Sequence, residues 1–369
     1  MVRVLHIFGQ MYKAGAESRI MDIYESISRK NIQFDFIVMK PGNHYFFEKI
    51  KNLGGNIFYI MPPSKVGYFN YAISLFKILK EKKYKIVHSH VAFNSGIIMF
   101  ISFLAGVKLR ITHSRSSNDL KEGISWTIYK VFSRVLIFLF SNMKLTCSVK
   151  SGKYLFGRLF FLFSNVRIFP NAINLKYFKE INNKSNYRTK LNINNDALIL
   201  GNVANLRPVK NHLFLFKIFN EVIKINPNSY LLIAGEGPER IILNEFIINN
   251  NLSGKIIMLG QLDDVKSFLG EIDLFILTSI FEGVPGALIE ALALNKKSIV
   301  SDSIELDLKF PKTSLKHISL KKSSLFWAEE IIKFDKEKCT ISSFDILKSN
   351  YYDSFDLSKK YERLYLENK

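Results

Sequence analysis

Short apolar runs with the two-residue rhythm of strands alternate along this chain with longer runs of helical rhythm, and that alternation leaves little choice of fold. In the first half, residues 2–8, 33–38, 57–60, 86–88, 109–113, 144–148 and 166–169 read as strands, with helices expected at 16–30, 68–82 and 95–105. The pattern restarts at residues 198–203 and continues through strands at 230–234, 256–259, 274–277 and 298–300, parted by helices at 212–225, 239–249 and 265–269. Strands separated by helices need crossover connections, so the sheets are parallel and the class is α/β. A chain of 369 residues suits two domains rather than one. An Asn-rich, apolar-poor stretch at 182–195 is the natural break between them. The expected division is 1–175, 196–345 and a last segment, 346–369, whose helix at 354–366 is placed back on the N-terminal domain. Residues 303–320 fit no pattern.

Parallel sheets bind ligands outside the carboxyl ends of their strands, so residues that follow strands are the candidates. The segment 278–294 reads T-S-I-F-E-G-V-P-G-A-L-I-E-A-L-A-L. A strand runs into a loop holding Glu282, Gly283, Val284, Pro285 and Gly286, and Pro285 stands where a helix begins. Glu290 lies within that helix, eight positions beyond Glu282. Such a loop offers free backbone N–H groups to an anion or polyol, and the two carboxylates can accept from sugar hydroxyls. After the strand at 198–203 come Arg207 and Lys210. A forked guanidinium and an ammonium together can neutralise a diphosphate and the charge that grows on it as it departs. The competing view is two solvated charges near a helix N-terminus, where cations are electrostatically unfavourable. Gly235 and Gly237 in A-G-E-G-P, and Gly260, follow the next two strands and permit tight backbone turns.

Taken together, these segments resemble the retaining glycosyltransferases of family 4, which have the GT-B fold: two doubly wound, Rossmann-like domains facing across a cleft. The spacing of Glu282 and Glu290 is similar to that family's pair of acids. The resemblance implies that Glu282 faces the donor sugar and Glu290 the ribose. It also implies that Arg207 and Lys210 hold the diphosphate and that Gly235, Gly237 and Gly260 lie beside the nucleotide. In the first half, G-Q-M-Y-K-A-G-A-E-S at 9–18 matches the family's glycine loop with Ala14 in place of a glycine. Gly15 is thereby a donor-side residue. The loop is not a Gly-x-Gly-x-x-Gly fingerprint, which disfavours a nicotinamide enzyme. His113 ends a strand in T-H-S-R, and the resemblance places it near the donor sugar and the acceptor, as a catalytic residue with Glu282, Arg207 and Lys210, and Arg115 at the acceptor; the plain alternative for His113 is a strand-end histidine satisfied by local backbone.

No metal is expected, and no cofactor; the nucleotide sugar is a substrate. His88-Ser89-His90 has no third ligand by spacing and is read as lining, and Asp263-Asp264 as an N-cap. Cys147 and Cys339 are the only cysteines, without metal or disulfide spacing. They suit reduced thiols in the cytoplasm. No apolar run is long enough to call a spanning helix. Basic residues exceed acidic by 52 − 32 = 20. This excess fits a diphosphate ligand or an anionic membrane surface and does not choose between them. Nucleic acid, suggested by charge alone, is not expected as a partner. Residues 121–163 interleave Lys121, Lys130, Arg134, Lys144, Lys150, Lys153 and Arg158 with Trp126, Tyr129, Phe132, Phe138, Phe140, Phe156 and residues 160–163. Two readings stand side by side: interfacial helices docking at the inner face of the plasma membrane, or domain core with a solvated basic face.

The expected function is retaining transfer of a hexosyl or N-acetylhexosaminyl group from a nucleotide sugar, UDP-linked, to a glycan acceptor. The resemblance implies that the acceptor is a glycan or a polyprenyl-diphosphate-linked one, in capsule, exopolysaccharide or lipopolysaccharide synthesis. A nucleotide-sugar epimerase of the same fold is the nearest rival, and a non-catalytic nucleotide-sugar-binding protein the next.

Overall fold

The computed structural model describes residues 1–13, 15–42, 44–119, 122–163, 165–179, 187–337 and 342–367. Ala14, Lys121, Cys339 and residues 182–186 of the Asn-rich stretch lie outside the described residues, as do the side chains of Phe160 and Phe163.

The chain forms two units, Met1–Ala172 with Tyr351–Lys369, and Ile173–Asn350. The first is built on strands β1 (Val2–Ile7), β2 (Ile32–Val38), β3 (Ile57–Tyr59), β4 (Ile86–Ser89), β5 (Leu109–Ser114), β6 (Met143–Thr146) and β7 (Val166–Ile168). They lie in the order β3-β2-β1-β4-β5-β6-β7, and every pairing is parallel. The second holds β8 (Leu198–Val203), β9 (Ser229–Ala234), β10 (Ile256–Gly260), β11 (Leu274–Leu277), β12 (Lys297–Ser301) and β13 (Leu315–Ile318). Their order is β10-β9-β8-β11-β12-β13, again all parallel. Both sheets reverse direction of winding once, between β1 and β4 and between β8 and β11. The crevice at such a switch point is where doubly wound sheets bind ligands.

Strands buried on both faces must be apolar throughout, and β2 is buried at all seven positions. Its one charge, Asp35, is satisfied by Arg3 Nε at 2.6 Å, Tyr84 Oη at 2.7 Å and the Asn56 N–H at 2.7 Å. Residues 303–320, which fit no pattern in the sequence, hold the edge strand β13, and the helix Ser324–Lys336 follows, with Trp327 fully buried in the second core. The last helix, Ser354–Glu367, buries Leu357, Tyr361, Leu364 and Tyr365 in the core of the first unit. Glu362 caps the chain turn there by accepting from the Ser28 N–H at 2.6 Å.

Candidate active site

In the second unit the switch point is held by side chains that cross from one strand end to the next. Asn202, at the end of β8, donates to the Ile276 carbonyl of β11 at 2.7 Å, and its Oδ1 lies 3.2 Å from His212 Nε2. Leu206 is fully buried and anchors the loop after β8. Arg207 is extended at φ −130°, a 3-10 turn spans Pro208–Lys210, and Asn211 adopts the left-handed region at φ 58°. That reversal starts the helix His212–Ile225. The loop after β11 is fastened to this one: the Ile280 N–H donates to the Val209 carbonyl at 2.8 Å and Thr278 Oγ1 to the Asn211 carbonyl at 3.1 Å.

The same folding brings Lys210 Nζ onto Glu282 Oε1, with the side chains only 20 % and 15 % exposed. Ser279 Oγ donates to the same carboxylate oxygen at 2.9 Å. Burial, with the nearby Lys210 charge adding, pushes the His212 imidazole down to about 4, so it stays neutral beside the cation. Arg207 is exposed and joins no ion pair among the described residues. Of the two expected diphosphate cations, one is thus held by a carboxylate and one extends into solvent.

Gly235 and Gly237 are required first by backbone packing. A Cβ on Gly235 would lie 1.9 Å from the Ala204 carbonyl oxygen, and one on Gly237 2.4 Å from that of Leu206. The Gly235 N–H donates to the Gly260 carbonyl at 2.7 Å, and the Leu206 N–H to the Glu236 carbonyl at 3.0 Å. The loops after β8, β9 and β10 therefore form one layer at the carboxyl ends. Gly260 has φ 73°. Gly283, Val284 and Pro285 are buried, and the helix Gly286–Ala293 begins one residue later than Pro285 suggested. Glu290 is half-buried on that helix. It contributes, after burial and Asp264, to raising the Tyr177 phenol to about 12. Asp264 itself is an N-cap, accepting from the Ser267 N–H at 3.0 Å.

In the first unit, Gly15 opens the helix Gly15–Ser26, and a Cβ there would meet nothing within 4 Å. His113 is fully buried at the end of β5. It belongs to a cluster that local spacing could not reveal. The register of β1 on β4 sets His6 beside His88. His6 Nδ1 lies 3.1 Å from His90 Nε2, His88 Nε2 3.2 Å from His113 Nδ1, and His88 Nδ1 2.8 Å from Tyr365 Oη of the last helix. The ligand-capable atoms of His6, His88 and His90 fall within 4.8 Å of one another. The rings of His6 and His90 are nearly parallel, at 14°, those of His88 and His90 lie at 28°, and those of His6 and His88 are tilted by 36°. The arrangement is a hydrogen-bonded core network. Arg115 is half-buried, with Nη1 donating to Asn171 at 2.7 Å.

Burial, with the Arg115 charge adding, holds His6, His88, His90 and His113 well below the ordinary value of 6.5. An unfolded chain binds protons at these four sites below that value while the folded one does not. Stability is therefore expected to fall as pH drops through 6.5, by about 1.4 kcal/mol per pH unit for each histidine that stays neutral. Thermal midpoints at about pH 7.5 and about pH 5.5 check this, and a flat profile across that window contradicts it.

Two tandem doubly wound units of this kind define a GT-B glycosyltransferase fold. The chain aligns over its whole length, and that of the other chain, with HepE of Anabaena in complex with UDP, at a TM-score of 0.78 and 16% identity, a likeness of fold. Residues 183–306 match the family model "Glycosyl transferases group 1", and the protein carries that domain. The matched span includes Arg207, Lys210, Gly235, Gly237, Gly260, Glu282 and Glu290. Among curated proteins the chain is 28% identical over 382 residues to the capsular polysaccharide biosynthesis glycosyltransferase CapH of Staphylococcus aureus, covering 99% of each. It is 29% identical over 240 residues to the UDP-Gal:alpha-D-GlcNAc-diphosphoundecaprenol alpha-1,3-galactosyltransferase of Escherichia coli, covering 62% of this chain and 61% of that protein.

Proposed function

We propose that the protein is a retaining glycosyltransferase that moves a hexosyl or N-acetylhexosaminyl group from a UDP-sugar onto a lipid-diphosphate-linked glycan during surface polysaccharide assembly. The observation that carries this reading is the pairing of Lys210 with Glu282 at the switch point of the second sheet. A cation for a diphosphate and a carboxylate for a sugar stand side by side where a nucleotide sugar would place both groups. The UDP in the HepE structure and the names of the two curated relatives support the donor, the acceptor class and the polysaccharide setting.

In this mechanism Lys210 and Arg207 stabilise charge on the departing UDP. The bond from the anomeric carbon to the diphosphate oxygen breaks, UDP leaves with the electron pair, and the acceptor oxygen bonds on the same face. The acceptor proton passes to the departing diphosphate. Glu282 orients the sugar and Glu290 the ribose. Arg115 meets the acceptor. His113, having no exposed surface, serves by holding the strand end through His88 and Tyr361. No metal takes part.

A screen of UDP-, GDP- and ADP-sugars for nucleotide release, with EDTA present and product configuration read by NMR, tests the reading. Transfer from a UDP-sugar with retained configuration is expected. Interconversion of nucleotide sugars without an acceptor would replace it with the epimerase reading. Loss of turnover in EDTA, restored by Mg2+, contradicts the metal-free mechanism.

The two acids are expected to separate in their effects. Glu282→Gln lowers turnover about tenfold or more while UDP affinity changes less. Glu290→Ala weakens UDP binding about tenfold, the worth of one charge-assisted hydrogen bond. Calorimetric titration of each variant with UDP decides it; the opposite pattern reverses the two assignments.

A further inference from the structure

The first unit carries a helical layer whose outward side is apolar. Its inner side is ordinary: Tyr71, Leu75 and Leu79 of the helix Pro63–Glu81, and Ile98, Met99 and Ile101 of the helix Ser95–Leu104, pack on Leu5, Ile7 and Val87 of the sheet. The helix Ser95–Leu104 lies between Pro63–Glu81 and Ile124–Phe140. Small residues fix how Ile124–Phe140 sits. A Cβ on Gly96 would meet the Ser133 carbonyl oxygen at 2.9 Å, and Ser133 and Ile137 are buried.

With that side inward, Ile124, Ile128, Val131, Val135 and Phe138 fall on one exposed stripe at spacings of four, three, four and three, and Phe132 and Leu139 flank it. Ile124 is 82% exposed, Leu139 61% and Phe132 56%. A helix facing water shows charged and polar groups on that stripe. The helix Pro63–Glu81, on the other side of Ser95–Leu104, adds exposed apolar residues of its own: Phe69, 78% exposed, with Tyr68 and Ile73. Trp126 and Tyr129, by contrast, turn inward against Phe93 and Phe156. The aromatic residues of this segment are therefore divided between core and surface.

The chemistry of the rim selects the occupant. Lys65, Lys77, Lys80 and Lys130 lie in these helices, and Glu81, paired with Lys77 at 3.8 Å, is the one acid in the ranges Pro63–Glu81 and Ile124–Phe140. Two copies meeting through this face would bring two basic rims together, whereas anionic headgroups match the rim as the acyl boundary matches the stripe. Among the described residues no helix is long and apolar enough to cross a membrane.

We propose that the outward faces of Pro63–Glu81 and Ile124–Phe140 dock the protein on an anionic bilayer, with Phe69, Ile128, Phe132 and Leu139 entering the acyl boundary. This inference stands on exposure and charge and does not rest on the transfer reaction.

The test is co-sedimentation of the full chain with phosphatidylglycerol-containing vesicles and with pure phosphatidylcholine vesicles, with and without added salt. Binding to the anionic vesicles that weakens with salt is expected. Phe69→Asp and Phe132→Asp, each at an exposed position, are expected to weaken partitioning about tenfold or more. The UDP-induced thermal shift of each variant should remain that of the wild type. Absence of binding to either vesicle, equal binding to both, or wild-type binding by both variants overturns the proposal. So does a dimer in light scattering that Phe132→Asp dissociates in a protein that leaves vesicles in solution. A failed transfer assay with intact vesicle binding would instead count against the catalytic reading alone.

Discussion

Lys210→Ala is expected to lower kcat/KM by about two to three orders of magnitude, the usual cost of removing one charge-assisted contact to charge that develops in a transition state. The protein should remain folded, because the loops around it are joined by backbone and Thr278 hydrogen bonds that do not use the ammonium group. The ion pair adds a second consequence. Without Lys210, the largely buried Glu282 carboxylate loses its cation and faces the incoming diphosphate with like charge. UDP affinity is thus expected to fall along with turnover. Combining Lys210→Ala with Glu282→Gln separates the two effects: affinity for UDP should recover in part, and turnover should not. Full recovery of turnover in the double variant would mean that Lys210 serves only to neutralise Glu282. Arg207→Ala, at an exposed position outside the ion pairs of the described residues, should cost turnover without a comparable change in stability.

Gly235→Ala is expected to destabilise the second unit by about 3 kcal/mol or more, roughly 6–12 °C in melting midpoint for a domain of this size. The reason is contact with backbone. The new Cβ would sit 1.9 Å from the Ala204 carbonyl oxygen, which cannot move aside as a flexible side chain would. Relief requires separating the loops after β8 and β9, and with them the Gly235-to-Gly260 hydrogen bond. Gly270→Ala is the control. It lies in the helix Val265–Glu271 with nothing within 4 Å of its Cβ position, so it should be neutral or mildly stabilising. A Gly235→Ala protein that melts with the wild type would show that the loop layer is looser than its geometry.

Much of the architecture is legible in the sequence because buried parallel strands announce themselves as apolar runs. The strands at 198–203 and 274–277 and the helix at 212–225 are legible to the residue. The strand β13 is not, since L-K-H-I is short and mixes polar with apolar residues as an edge strand does. In the candidate site, the partnerships between residues are not legible in the sequence. Lys210 and Glu282 are 72 positions apart, and His6 and His90 84, so only strand order and register bring them together. The sequence suggests that Gly235 and Gly237 permit tight backbone turns; the structure adds the Ala204 and Leu206 carbonyls as reasons for both. Composition marks residues 121–163 as basic and aromatic, but it cannot say that Phe132 faces outward while Tyr129 faces the core. That depends on which side of the helix carries Ser133 against Gly96.

The return of the last helix to the first unit has a consequence for synthesis. During translation, the strands of the first sheet leave the ribosome before any of the second unit, yet Leu357, Tyr361, Leu364 and Tyr365 of its core follow after all of it. The second unit, by contrast, is one continuous stretch, Ile173–Asn350. The half that begins first must therefore wait with part of its core uncovered, while the half that begins later has all its parts and can close before it. Domains usually mature in the order in which they are made; here completion of the first falls to a helix made after the second.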